Sequence, residues 1–180
     1  MLRWSSRTDG KEPILAESVV PMSRRTRLSK VIARSDYWRV AVKRPLEPLT
    51  ARQQLKLHEA VRKRMGVLYD GGFNLRSNRQ FCSKFVREVM YEATGLRLGE
   101  IETMRDLFQN NPEARVPFWK LWFLGRIPWE RQTVTPVSVM LTPCLHTVFD
   151  GQVLMPHRSG MRARRLDSSG WSGISSLPAG

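Results

Sequence analysis

The run Arg79-Gln80-Phe81-Cys82-Ser83-Lys84-Phe85-Val86 sets a cysteine at the start of an apolar repeat. After Cys82, apolar residues recur at Phe85, Val86, Val89, Met90 and Ala93, the spacing of one helix face. Cys82 falls on that face, and Ser77 or Asn78 supplies a candidate N-cap a few residues earlier. A helix N-terminus carries partial positive charge and free N–H groups, and both stabilise a thiolate. The chemistry this placement suits is nucleophilic attack by sulfur. The same placement also suits a small core residue, so the choice turns on a partner histidine. The chain holds three histidines, His58, His146 and His157.

The elements that must position Cys82 can be read from pattern. Pro13 to Val20 reads as a strand ending at Pro21, with Glu17 an acid inside an otherwise apolar run. Ser23 to Ser35 is basic and turn-rich, with Leu28, Val31 and Ile32 as anchors of a short helix. Tyr37 to Arg44 alternates apolar and basic residues and reads as a second strand, ended by Pro45. Thr50 caps a helix over Ala51–Met65, with Leu55, Leu57, Val61 and Met65 for burial, and Gly66 closes it. Tyr69 to Asn74 is a turn-rich loop. The Cys82 helix runs to about Gly95, and Thr103 to Asn110 forms another short helix. Phe118 to Trp129 is the most aromatic stretch and is expected in the core. Thr133 to Phe149 is apolar and holds a last short strand or helix.

Composition sets the frame. The 180 residues suit one domain, residues 1–155, followed by a disordered basic, Ser/Gly-rich tail, 156–180. No apolar run approaches the roughly 20 residues that span a bilayer, and the start lacks the apolar core of a signal peptide. Two cysteines do not make a disulfide framework, and a cytoplasmic setting is the simplest expectation. Metal-ligand spacing and Gly-rich phosphate loops are both absent, so no metal or cofactor is expected. The net charge of +14 (30 basic, 16 acidic residues) implies an anionic partner or a solvated basic surface.

Several segments together resemble the circularly permuted papain-like cysteine hydrolases of the YiiX/YebB-like group, relatives of NlpC-type peptidases and of lecithin retinol acyltransferase. The matching parts are Leu15-Ala16-Glu17-Ser18, Leu68-Tyr69-Asp70, Phe81 to Val86, and Val134-Thr135-Pro136 followed by Thr142-Pro143. The resemblance covers residues 13 to 150 and keeps the segment order. It implies an α+β fold with helices packed on a small antiparallel sheet. It makes Cys82 the nucleophile, Glu17 the carboxylate that orients a histidine, and Tyr69 a candidate hydroxyl donor beside the Cys82 N–H in an oxyanion hole. Lys84 departs from relatives that carry an acid there, and is expected to face solvent.

In that family the histidine lies on a strand before the Glu17 strand. Here Met1 to Trp4 reads as the end of that strand and Arg7 to Gly10 as a hairpin turn, with Asp-Gly as its signal. The resemblance therefore places the catalytic histidine before Met1, in a chain that begins late. His146 follows the cysteine but lacks the flanking Gly-Asp turn and glycine of the unpermuted order. The implied activity is hydrolysis or acyl transfer at an amide or ester bond of a peptide, peptidoglycan or lipid-type substrate. The alternative is a non-catalytic basic module that binds anionic lipid or, less readily, nucleic acid.

Overall fold

The computed structural model describes the backbone of residues 2–4 and residues 12–153 in full. The expected tail and the Arg7–Gly10 turn lie outside the described residues.

A hairpin opens the chain. Strand β1 (Leu2–Trp4) pairs antiparallel with β2 (Ile14–Glu17), Leu2 opposite Ala16 and Trp4 opposite Ile14. β3 (Arg24–Arg27) pairs on the other side of β2, giving the order β1-β2-β3. β3 was hidden in what reads as a basic turn, because Arg24-Arg25-Thr26-Arg27 carries one buried side chain, Thr26. Short helix α1 (Leu28–Ile32) follows. A 3-10 turn at Asp36–Trp38 replaces the start of the next expected strand, and β4 runs Arg39–Pro45.

Helix α2 (Ala51–Lys63) has the expected cap: the Thr50 hydroxyl accepts from Gln53 N–H, and the Gln53 side chain returns to Thr50 N–H. Leu55, expected in the core, is 67% exposed, whereas Ala60 and Val61 are buried. Helix α3 (Cys82–Thr94) ends at Gly95, which adopts a left-handed φ of 80°. α4 (Met104–Asn110) carries a second capping box, between Thr103 and Asp106. It is joined to α5 (Val116–Trp122) and α6 (Pro136–Met140). Strands β5 (Glu102–Thr103) and β6 (Gln132–Thr133) form one small antiparallel ladder. β7 (Leu145–Gln152) pairs with β4 in another.

Helix α3 is the axis of the core. Phe85 and Val89 pack with Ala16, Ala60 and Val61, which joins β2 and α2 to it. Phe81 and Met90 pack with Leu98, Val134 and Val139, which joins α6 from the other side. Burying each large side chain contributes about 1.5–3 kcal/mol. The fold is α+β, as the resemblance implies, with helices against small antiparallel sheets.

Two expectations are corrected. The Phe118–Trp129 stretch is not core: α5 buries no residue, and only Ile127 of the stretch is buried. Its rings pack on one another, and among the described residues no element covers the outer side of Leu121 (77% exposed) or Leu124 (95%). Lys84 does not face solvent. It is 2% exposed, because its position on α3 points under the loop that leads into the helix.

Candidate active site

Cys82 is the first residue of α3, and its side chain is exposed rather than packed on the apolar face. Phe81, not Ser77 or Asn78, is the N-cap, and it offers no side-chain hydrogen bond. Ser77 instead accepts from Arg79 N–H within the loop. The N–H groups of the first turn therefore lack a side-chain partner and face outward beside the thiol.

The chain crosses itself to bring Tyr69 to Cys82. Tyr69 forms a bridge with Gln80, through Asp70 N–H to Gln80 O (2.8 Å) and Gln80 N–H to Leu68 O (3.0 Å). Tyr69 N–H donates to Pro21 O at 2.8 Å, which ties it to the end of the β2 segment. The phenol and the thiol line the same cleft and interact electrostatically. Burial, then the charge and hydrogen bond of Cys82, then Asp70, push Tyr69 up to about 12. The phenol thus keeps its proton and can donate it throughout the neutral range. Asp70 is buried and organises the following turn by accepting from Gly72 N–H (2.8 Å) and Asn74 N–H (3.2 Å).

A cleft of about 340 Å³ opens over Cys82. Ala16, Glu17, Ser18, Val19 and Val20 form one wall, and Tyr69, Phe85 and Val86 complete it. The Ser18 hydroxyl is buried and has no hydrogen-bond partner among the described residues.

Glu17 lines this cleft, but its carboxylate is held elsewhere. Successive strand residues face opposite sides. Ala16 faces Phe85 of α3, whereas the Glu17 carboxylate meets Thr26 and Arg34. Oε1 accepts from Thr26 Oγ1 (2.6 Å) and Arg34 (2.9 Å), and Oε2 accepts from Arg34 (2.8 Å). Burial alone would raise its pKa; the Thr26 and Arg34 bonds and the Arg34 charge outweigh this and hold it below the usual carboxylate range.

The residue that spacing missed is Lys84. Its ammonium donates to Ser77 O and to Arg79 O (3.0 Å), and Glu88 lies at 3.7 Å. Glu88 in turn accepts from Gln80 (2.8 Å) and Arg64 (3.2 Å). This network fixes the loop whose last residue is the N-cap of α3. Phe73 was also missed. It packs edge-on against Phe81 and Tyr69 and links both to Trp119.

The site is thus an exposed cysteine at a helix start, with the β1–β2–β3 sheet before it in the chain and α2 and α6 packed against its helix. A family model for permuted papain-like amidases of the YaeF/YiiX type, the C92 family, matches residues 3–149. The chain belongs to that family. It is 31% identical over 138 residues to the uncharacterized protein YiiX of Escherichia coli K12, covering 77% of this chain and 67% of that one. The crystal structure of metalloprotein YiiX from Escherichia coli O157:H7 superposes with a TM-score of 0.72 at 30% identity, over 80% of this chain and 79% of that one. The family is of amidase type, so the coarse class of chemistry expected for Cys82 is the family's own.

No described histidine lines the cleft. His58 lies on α2, and His146 is exposed on β7 opposite Arg44. His157 is outside the described residues.

Proposed function

We propose that the chain cleaves an amide bond through the Cys82 thiolate. The observation that carries this reading is the exposed Cys82 sulfur at the start of α3, in a cleft whose wall includes the Tyr69 phenol. The sulfur attacks the carbonyl carbon, and the carbonyl π electrons move to oxygen. The Cys82 N–H and the Tyr69 hydroxyl face that oxygen and stabilise its charge. The C–N bond then breaks, the amine leaves with a proton, and the acyl group stays on sulfur as a thioester. Water hydrolyses the thioester, which releases the acid and restores the thiol.

No histidine among the described residues lines the cleft, so the proton released when the Cys82 thiol ionises passes to solvent or to an added base and is returned to the leaving amine.

Four apolar side chains, Val19, Val20, Phe85 and Val86, line the cleft and favour an apolar group beside the scissile bond. The relative from strain O157:H7 is described as a metalloprotein; among the described residues no group of three or more His, Cys, Asp or Glu side chains is placed to hold a metal.

The test is thiol labelling together with turnover of an activated amide or ester. Iodoacetamide is expected to modify Cys82 faster than the half-buried Cys144, and Cys82→Ala to abolish turnover with an unchanged melting curve. Added imidazole is expected to raise the Cys82-dependent rate. Equal labelling of both thiols, or turnover that survives Cys82→Ala, overturns the assignment.

A further inference from the structure

The tip of α5 is built for a surface the structure does not contain. Phe118, Leu121 and Trp122 recur at i, i+3 and i+4 on α5, so they share one face. They are 52%, 77% and 50% exposed, and Leu124 just beyond is 95% exposed. Surface apolar residues are ordinary when scattered singly, whereas a contiguous patch calls for a partner.

Backbone geometry makes the same point independently. Leu124 holds a left-handed φ of 54° at the end of α5, where glycine or asparagine is the usual occupant. The Gly125 N–H closes the turn onto Lys120 O at 2.6 Å. A leucine placed there is held almost wholly outside the molecule at a backbone cost, with nothing in the fold gained from its side chain.

Charge selects the partner. Arg115, Lys120 and Arg126 flank the patch, all exposed, and no acid occurs from 114 to 129. Exposed Phe, Leu and Trp beside Arg and Lys is the composition of a segment that lies in a membrane interface. None of the described helices is long and apolar enough to cross a membrane, so the fit is to the surface layer. The rings also run back toward the cleft: Tyr69 contacts Phe73, which contacts Trp119 and Trp122, and Trp122 Nε1 donates to Gly71 O at 2.8 Å.

We infer that the α5 tip, Phe118 to Arg126, docks on an anionic lipid surface with Leu121, Trp122 and Leu124 entering the headgroup layer and Arg115, Lys120 and Arg126 meeting lipid phosphates. This inference stands without any chemistry at Cys82. Docking would bring the Tyr69 wall of the cleft close to the lipid.

The test is co-sedimentation of the full chain with phosphatidylglycerol-containing vesicles and with pure phosphatidylcholine vesicles, alongside tryptophan emission. Binding to the anionic vesicles with a blue shift is expected, together with weaker binding to the neutral ones. The double variant Leu121→Asn/Leu124→Gly is expected to bind about tenfold more weakly. Its melting point should stay level or rise, because glycine relieves the left-handed position. Lys120→Ser/Arg126→Ser, which leaves the apolar face intact, should weaken anionic binding by about fivefold per cation. Absence of binding to anionic vesicles overturns the inference. So does wild-type binding by both variants, which would put the contact on another basic face. Single-strand DNA binding that needs Trp122 while vesicles are ignored overturns it in favour of base stacking.

Discussion

Lys84 is a buried charge two positions from Cys82, bound to the loop that leads into α3. Its ammonium satisfies two loop carbonyls, Ser77 O and Arg79 O, that lie outside any strand or helix. Burying a lysine is costly unless it is hydrogen-bonded and paired, and here both conditions are met, with Glu88 as the counter-charge. Replacing Lys84 by Met keeps the volume but takes the ammonium donor from those carbonyls and one counter-charge from Glu88, which keeps Gln80 and Arg64. The expected loss is about 2–4 kcal/mol by denaturant unfolding. The rate of Cys82 alkylation in the folded variant should change as well, because the loop entering α3 loses its anchor. A variant as stable as wild type with unaltered labelling would show that the ammonium is only a passenger.

At the scale of elements, α3 is held at both ends by different devices. Its start is positioned by the Lys84 network and by Ser83, whose hydroxyl donates to Val134 O at 2.7 Å. Its far end turns through Gly95 into the segment that reaches α6. Gly99 in that segment has φ of 72°, and a Cβ there would lie 2.7 Å from Val134 Cγ2 and 2.9 Å from Val139 Cγ2. Both valines belong to the core cluster around Phe81 and Met90. Gly99→Ala therefore combines an unfavourable left-handed conformation with overpacking, and should cost about 2–4 kcal/mol in a thermal or urea melt. A melt unchanged by this substitution would mean that α6 gives way without loss. The two-stranded β4–β7 ladder is the contrasting case, since most of its residues are exposed and it meets the core only through Leu145, against the Phe81 and Met90 cluster.

For the whole molecule, charge ties stability to pH. The carboxylates of Glu17, Glu92 and Asp106 are all held below their usual values. For Glu17 the Thr26 and Arg34 bonds overcome burial, for Glu92 the lysine and arginine of α2's end act first, and for Asp106 the capping bond from Thr103 N–H does. A depressed folded pKa adds stability that is complete above the unfolded value, about 4.3 for Glu, and is lost as pH falls through the folded value. The chain, already at +14, should thus lose stability steadily below about pH 4. Glu17→Gln should be less stable at neutral pH by about 2 kcal/mol, and its stability should fall less steeply with acid. A variant with the wild-type acid profile would show that the Arg34 pair adds nothing to folding.

Sequence alone determined what short-range hydrogen bonding controls. The cap at Thr50, the short helix near Thr103–Asn110, the stop at Gly95 and the apolar stripe from Phe85 to Ala93 were legible, because each is fixed by residues within a few positions or by one simple period, whereas the Leu2–Trp4 strand was read only through the family resemblance. The placement of Cys82 at a helix start was legible for the same reason. Tertiary structure decided the rest. Tyr69 reaches Cys82 through a bridge between two loops, and no periodicity records which loops cross. Lys84 is buried because a loop with no repeating pattern folds over it, so its charge alone suggested solvent. Arg24 to Arg27 became a strand because β2 offers a free edge and Glu17 a counter-charge for Arg24. The aromatic run of α5 is apolar except for Lys120, and composition cannot tell whether another part of the chain will cover it; among the described residues Phe118, Leu121 and Trp122 stay exposed.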